Sequence, residues 1–573
     1  HIDMAVHDQG AALRVVGPEG TDDIDGVLVG HMDRGEARQV ADVVDGMVHE
    51  FLLGNIIDTY DIEAVEVLRG PQGVLQGRNA TAGVVSFRTR RPKDHLEVEA
   101  HAVGASNSRF ELSSLVAGPL VPDLLKAKIS GYYSRTNGFF DDDNGGIFVP
   151  APQNPDGTDE SPRGKVVGSE TWSVRPTIVV TPSPDLTISL VGEYTKQTGE
   201  AGAGGRVASP ELGYDVTVPT NLQTLFGYYP PTGKFDVNLG SHGSVDMKAR
   251  RLAGEINGDI GAGVFTSITG YRKVSYSGSF DGDATPFLLF EFPEGNHTSS
   301  RQFSQEARFA SDFSDFVSFV VGGYYSKLSI NQEERRSQTL FIAGQNNSTA
   351  IVQRGYFEQD GSSKALFYNI DINPLKGLTL SHGGRYTKDK KKIDMIPRGT
   401  CATTAFTGCP STYLPTQRLS FDEFTPRFSV EYEITPQTLV YASHTKGYRS
   451  GVFNGRATNL ATLGPAAPET VKAIEAGFKT TFLDGKARIN VAAFKEKYND
   501  IQRTISINGI QTFANAGSAK IKGFEVESRF LPLEGFELTG NLAYVRPRFD
   551  EFGGFDSSLR FNRVSEWSGT VGA

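Results

Sequence analysis

Leu186–Tyr194 reads LTISLVGEY. In an extended chain successive side chains point to opposite faces, so Leu186, Ile188, Leu190, Gly192 and Tyr194 share one face. Thr187, Ser189, Val191 and Glu193 share the other. Phe536–Tyr544 (FELTGNLAY) repeats the pattern. Leu378–Tyr386 and Phe316–Tyr324 follow it less cleanly: His382 falls on the apolar face of the first, and Phe319 and Val321 on the polar face of the second. Each of the four begins with a large apolar residue and sets a tyrosine eight positions later, on the same face. Eight residues at ~3.3 Å each, tilted by ~40°, climb roughly 20 Å, close to the ~25 Å apolar band of an outer-membrane barrel. The tyrosines then fall at one membrane interface. A water-soluble sandwich also alternates, but nothing in it holds a tyrosine at a fixed height.

The connections alternate in length. Short ones carry Pro, Gly, Asp or Asn: residues 182–185, 311–315, 373–377, 435–437, 483–485 and 532–535. Between them lie long polar stretches near 137–168, 197–245, 276–300, 331–362, 389–420 and 448–467, read as loops. Tight turns on one side and long loops on the other are the pattern of a bacterial transmembrane barrel. Counting two strands per loop gives about 18 antiparallel strands from Leu96 onward, where a plugged transporter of the largest class has about 22. An open edge in hydrocarbon leaves backbone groups unpaired, so the expectation is a barrel lacking its last strands.

Composition agrees. The chain has 573 residues, with 64 glycines, 10% aromatics, two cysteines and a formal net charge of -10. Mean hydropathy is -0.29 and no apolar run approaches the ~20 residues of a membrane helix, which excludes a helical membrane protein but not a barrel. The acidic balance argues against nucleic acid as a partner. No signal peptide opens the sequence, which we read as removed or as lying before His1. Cys401 and Cys409 sit close together in GTCATTAFTGCPST. A disulfide pinning a surface loop in an oxidising compartment is the preferred reading, and two free thiols the alternative.

Residues 1–93 lack the barrel periodicity. Their end, DIEAVEVLRGPQGVLQGRNATAGVVSFRTRRPK (61–93), reads as a strand (Ala64–Leu68), a tight turn at Gly70–Gly73, a small-residue stretch, a second strand (Gly83–Thr89) and a Pro-stopped linker. This stretch strongly resembles the plug of TonB-dependent outer-membrane receptors, which carries I-E-x-[VI]-E-V-L-R-G-P-x-G, then G-R-N-A and a strand ending T-[KR]-R-P. The matching residues are Ile62 to Gly73, Gly77 to Ala80 and Thr89 to Pro92, with Val44-Asp45-Gly46 upstream. Later phrases fit the same family: Phe303–Phe309, Gly384–Asp389, Tyr441–Gly451, Asn515–Gly517 and Lys522–Glu525.

The resemblance implies a mixed α/β plug (1–93) in the lumen of a β-barrel (94–573) in the bacterial outer membrane. It implies active import of a scarce ligand, most often a ferric siderophore, with cobalamin, saccharides or aromatic compounds as alternatives and a passive porin or surface receptor as lesser ones. It also implies the TonB energy-transducing protein as partner; the TonB-binding segment and final strands are expected outside this stretch. Arg69, Gly70, Pro71, Gln72, Gly73, Gly77, Arg78 and Asn79 are the gating or structural candidates, with Arg88, Arg90, Glu63 and Glu66 as further plug–barrel ion-pair candidates. Tyr228, Tyr229, Phe290, Phe292, Tyr413 and Phe453 are candidates for a ligand vestibule. Lys388–Lys392 is read as a solvated run, or as a contact for lipopolysaccharide phosphates or an anionic ligand. Gly70–Gly77 lacks the Gly-Lys-Ser/Thr ending of a phosphate loop, the histidines lack metal-ligand spacing and no G-x-S-x-G elbow occurs. No cofactor, metal site or enzymatic activity is therefore expected.

Overall fold

A computed structural model describes residues 12–15, 40–51, 53, 59–142, 164–201, 231, 233, 235–282, 285, 290–311, 314–341, 348–403, 405–507, 510–552, 561 and 564–573. The N-terminal part is a five-stranded sheet of β1 (Ala12–Val15), β2 (Val40–Val44), β3 (Met47–His49), β4 (Ile62–Arg69) and β5 (Gly83–Thr89). Its order is β1-β4-β5-β2-β3; β2 and β5 run parallel and the other neighbours antiparallel. Two apolar layers hold it together, Ala41, Val43, Ala80 and Val84 on one face and Val44, Val65, Val85 and Phe87 on the other. The expected strand–turn–strand is present. The backbone bends at Gly70 (φ 72°), and Gln76 N–H closes a turn on the Gln72 carbonyl at 3.3 Å.

Among the described residues the rest is one 18-stranded antiparallel sheet rolled into a barrel, as the alternation predicted, with two small sheets on the long-loop side: Phe140–Asp142 with Gly164–Val166 and Asp236–Val237, and Gln502–Ile507 with Ile510–Asn515. The barrel order follows the chain from Glu97–Ala105 to Trp567–Gly572, each strand pairing antiparallel with the next. The polarity is inverted relative to a soluble protein. Leu190, Leu252, Leu366, Leu380, Phe424 and Leu542 are exposed on the outside, while Ser130, Arg175, Arg251, Gln302, Ser326 and Thr425 are buried. Lipid is the solvent that suits such an outer face. The tyrosines that close the two clean strands pack on exposed tryptophans of the outer face: Trp172 lies 4.9 Å from Tyr194, and Trp567 lies 4.7 Å from Tyr544.

Two expectations change. Residues 276–300 and 331–362 are mostly strand, and 389–420 is half strand, not loop: Gly263–Asp281, Phe290–Ser311, Val317–Phe341, Ser348–Leu375 and Leu378–Thr400 contain 19, 22, 25, 28 and 23 residues. A polar sequence marks where a strand leaves the membrane; it does not end backbone pairing, which continues far above the ~25 Å band. The phase of Phe316–Tyr324 is also reversed. Val321 is exposed outward, and Tyr324 lies inside with the Arg385 guanidinium 5.2 Å from its ring, so Tyr325 takes the outward position. Both faces of FVSFVVGGYY are apolar, so alternation alone could not choose. His382 stays outward, where Phe428 packs at 4.4 Å and the Tyr368 hydroxyl lies 3.3 Å from Nδ1.

Candidate functional site: the plug–wall junction

The plug meets the wall through charged side chains of the inward strand faces. Asp61, at the head of β4, has a fully buried carboxylate. Lys128 donates to both its oxygens at 2.7 Å, Ser130 donates at 2.7 Å and Arg175 at 3.1 Å. Arg175 also holds Glu193 at 3.1 Å, Glu193 holds Arg251 at 2.8 Å, and Arg251 reaches the plug's Asp45 at 2.8 Å. Asp45 sits in the tight β2–β3 turn at φ 50°. It accepts the Thr89 N–H at 3.0 Å and Arg91 at 3.2 Å, tying that turn to the end of β5. Burial by itself would raise the Asp45 carboxyl; the charges of Arg251 and Arg91 outweigh it and hold the group far below the usual carboxylate range. Signs alternate along the whole chain of contacts, which is what makes such burial tolerable.

A second junction lies further up. Arg78 joins the plug's Glu50 at 2.5 Å to the wall's Asp389 at 3.0 Å. The Tyr448 hydroxyl donates to Asp389 at 3.0 Å and the Ser326 hydroxyl to Glu50 at 2.5 Å. Burial works against the Arg78 charge, and Glu50 and Asp389 reverse that and hold it above the ordinary arginine range. Asn79, at φ 66°, donates its N–H to the Tyr448 carbonyl at 3.0 Å. Gly77 (φ 75°) lies flat against Arg385, where a Cβ would come within 2.9 Å of the guanidinium. Gly73 gives its carbonyl to the Thr425 hydroxyl at 3.0 Å, and a side chain there would collide with the Lys446 carbonyl oxygen.

The third junction is different. Arg69 pairs with Glu525 and, at 3.1 Å, with Glu527, yet half of its side chain is exposed. It borders a cavity of about 300 Å³ between plug and wall, lined by Pro71, Gln72, Arg427, Tyr441 and Glu475 among others. Pro71 and Gln72 thus edge this cavity, and the Gln72 N–H is held by the Ala80 carbonyl at 3.0 Å.

Of the ion-pair candidates, Arg69, Arg78 and Arg90 reach the wall, Arg90 through Glu99 at 2.8 Å. Arg88 instead faces Glu63 within the plug at 3.8 Å. Asp61, Lys128, Arg175 and Arg251 were not singled out from sequence, and Asp45 only within the Val44-Asp45-Gly46 match. For the wall residues Lys128, Arg175 and Arg251 the signal was a charge on the inward face of successive strands, as Glu193 already showed in the opening stretch.

Cys401 and Cys409 are bonded, in the connection that follows Leu378–Thr400 on the long-loop side. Phe292 is buried and stacks on Phe280 at 4.2 Å, with Phe290 edge-on at 4.9 Å. Tyr413 is exposed beside Tyr356, whereas Phe453 is buried in a cluster with Leu463 and with Ile393 and Met395 of Leu378–Thr400. Tyr228 and Tyr229 lie outside the described residues. Among the described residues no group of three or more His, Cys, Asp or Glu is placed to hold a metal.

A barrel with apolar outside, charged inside and a sheet seated in its lumen defines a plugged outer-membrane receptor. The sequence matches the family described as TonB dependent receptor-like, beta-barrel over residues 187–573, and the TonB-dependent Receptor Plug Domain over 21–84. The chain belongs to the TonB-dependent receptor family. It is 23% identical over 524 residues to the pesticin receptor of Yersinia enterocolitica, covering 88% of this chain and 66% of that protein. To the metal-pseudopaline receptor CntO of Pseudomonas aeruginosa strain PAO1 it is 31% identical over 540 residues, covering 90% and 68%. The ferric yersiniabactin uptake receptor FyuA of Yersinia pestis shares the fold at a TM-score of 0.72 and 17% identity, over 93% of this chain and 73% of that one. The chain thus spans about two thirds of the length of the curated relatives it matches.

Proposed function

We propose that this protein imports a ferric siderophore across the outer membrane, energised by TonB, with residues 1–93 as the plug and 94–573 as the barrel. The observation that carries the reading is the plug tied into the lumen by ion pairs buried on both partners. A lumen filled in this way passes solute only if the plug rearranges, and rearrangement against several buried pairs needs a source of work. TonB capture in this family adds a strand to the receptor, which transmits pull through backbone hydrogen bonds. Residues Arg69 to Asn79 then serve as the hinge and latch of the plug. Lys388 and Lys390, exposed above the outward Tyr386, suit lipopolysaccharide phosphates. The names of the relatives support a ferric chelate as cargo. A second reading, a non-iron metal chelate, draws on the likeness to the metal-pseudopaline receptor. Uptake of labelled ferric chelates is to be measured in iron-limited cells with and without the intact receptor, and with and without TonB. Receptor- and TonB-dependent uptake is the expected result. Equal uptake in all strains, with receptor-dependent growth on another metal chelate, selects the second reading.

A further inference from the structure

Above the plug, three guanidinium groups converge on a single carboxylate. Glu334 and Arg336 lie on Val317–Phe341, on the same face as Ser326, which binds the plug's Glu50. They therefore face the lumen. Across the ladder Glu334 pairs with Gly355, and Arg336 with Gln353, whose amide oxygen accepts the Arg336 Nε–H at 2.7 Å. The absent side chain of Gly355 is replaced by Arg398: a Cβ there would stand 3.2 Å from the Arg398 Cβ. Arg456 enters from the loop and holds Glu334 at 2.7 Å, while Arg398 stays 3.7 Å from it. Arg336 feels Arg398 and Arg456 as positive neighbours and Glu334 as its negative one. Three cations against one anion leave a net charge of +2 in this cluster.

Arg398 is the telling member. It is 7% exposed, and its Nε and Nη1 have no hydrogen-bond partner among the described residues. An orphaned guanidinium edge in a positive, buried cluster is costly unless an anion completes it. The planar fork of arginine matches paired oxygens, as in carboxylates or vicinal phenolates. Beside it stands an aromatic wall: the Phe290 ring is 5.9 Å from the Arg336 guanidinium and leads into the Phe292–Phe280 stack. Such rings favour an aromatic ligand packed edge-on or offset.

We propose that Arg336, Arg398 and Arg456 form an anion-binding site that takes a net-negative chelate whose aromatic rings carry paired oxygens. This rests on the import reading, of which it names the substrate class. Excess cation rejects a positively charged chelate, so charge sign is the selectivity.

Equilibrium binding to the intact receptor in detergent tests it with three probes. These are the anionic ferric complex of 2,3-dihydroxybenzoate, the cationic ferrioxamine B, and iron-free mellitate, an aromatic polycarboxylate. The wild type is expected to bind the ferric dihydroxybenzoate complex and mellitate, and ferrioxamine B more weakly than either. Arg456→Gln, a half-exposed position that does not threaten folding, is expected to weaken both anions about tenfold. Arg398→Gln should do so more strongly, and Glu334→Gln should tighten them severalfold, a gain that a merely structural role does not produce. Arg456→Gln and Glu334→Gln without effect on the anions overturns the proposal, as does preference for ferrioxamine B or binding of no probe. Arginine-dependent binding of mellitate with no ferric chelate bound upholds the site and overturns the iron reading instead.

Discussion

The two flanks of the plug are fastened by the same chemistry in different solvents. At Asp61 the partners Lys128 and Arg175 have side chains that are 1% and 3% exposed, and the acid itself 0%. At Arg69 the cation is 50% exposed and its glutamates 25% and 19%, beside a cavity of about 300 Å³. Water next to the second pair supplies an alternative partner to each ion, so separation costs little. Inside the first, separation strands a charge. One flank is therefore an anchor and the other a place to open.

That contrast is easiest to break at the anchor. Asp61→Ala leaves Lys128 and Arg175 without their shared acid, and the plug strands should lose about 3–5 kcal/mol of opening free energy, read by hydrogen exchange of β4 and β5 amides. A loss below about 1 kcal/mol would equate it with a surface pair. Arg78→Ala comes next, at about 3 kcal/mol by the same readout, because Ser326 and Tyr448 still hydrogen-bond Glu50 and Asp389. Arg69→Ala should cost about 1 kcal/mol or less while raising solute leakage through the cavity flank. Comparable losses at Arg69 and Asp61 would erase the distinction between the flanks.

The smallest effect belongs to the surface. His242 lies 3.2 Å from Asp142 and 3.3 Å from Glu200 in the long-loop layer. The hydrogen bond to Asp142 raises its pKa, partial burial opposes that, and the charge of Glu200 adds to the rise. Its contribution is thus fully present below the ordinary histidine value and fades as pH rises through the raised one. Exchange protection of Phe140–Asp142 and Gly164–Val166 should fall across that interval, and His242→Gln should remove the step. A pH-independent wild type would mean the pairing carries no stability.

Much of this was readable from residues. Leu186–Tyr194 and Phe536–Tyr544 announced a barrel because lipid outside and a polar lumen inside impose a strict period of two. The strand–turn–strand of 62–89 was readable because a tight turn suits Gly70, which stands at positive φ, whereas its identity as a plug came from the resemblance of Ile62–Gly73 to the family motif. Phe316–Tyr324 was misphased because both of its faces are apolar, and only the Arg385 contact puts Tyr324 inside. The extended strands were missed because polar residues pair their backbones as well as apolar ones do. The anchor escaped because Asp61 and Lys128, or Asp45 and Arg251, are distant in sequence, and the pairing exists only once the plug is seated.

The central claim, that the lumen is sealed by a plug held on buried charge pairs, is tested most directly by single-channel conductance of the intact receptor in a planar bilayer. The wild type should show no steady open-pore current, and Asp61→Ala should show large, long-lived openings where Arg69→Ala shows at most brief, small ones. A steady porin-like conductance in the unaltered receptor would contradict it.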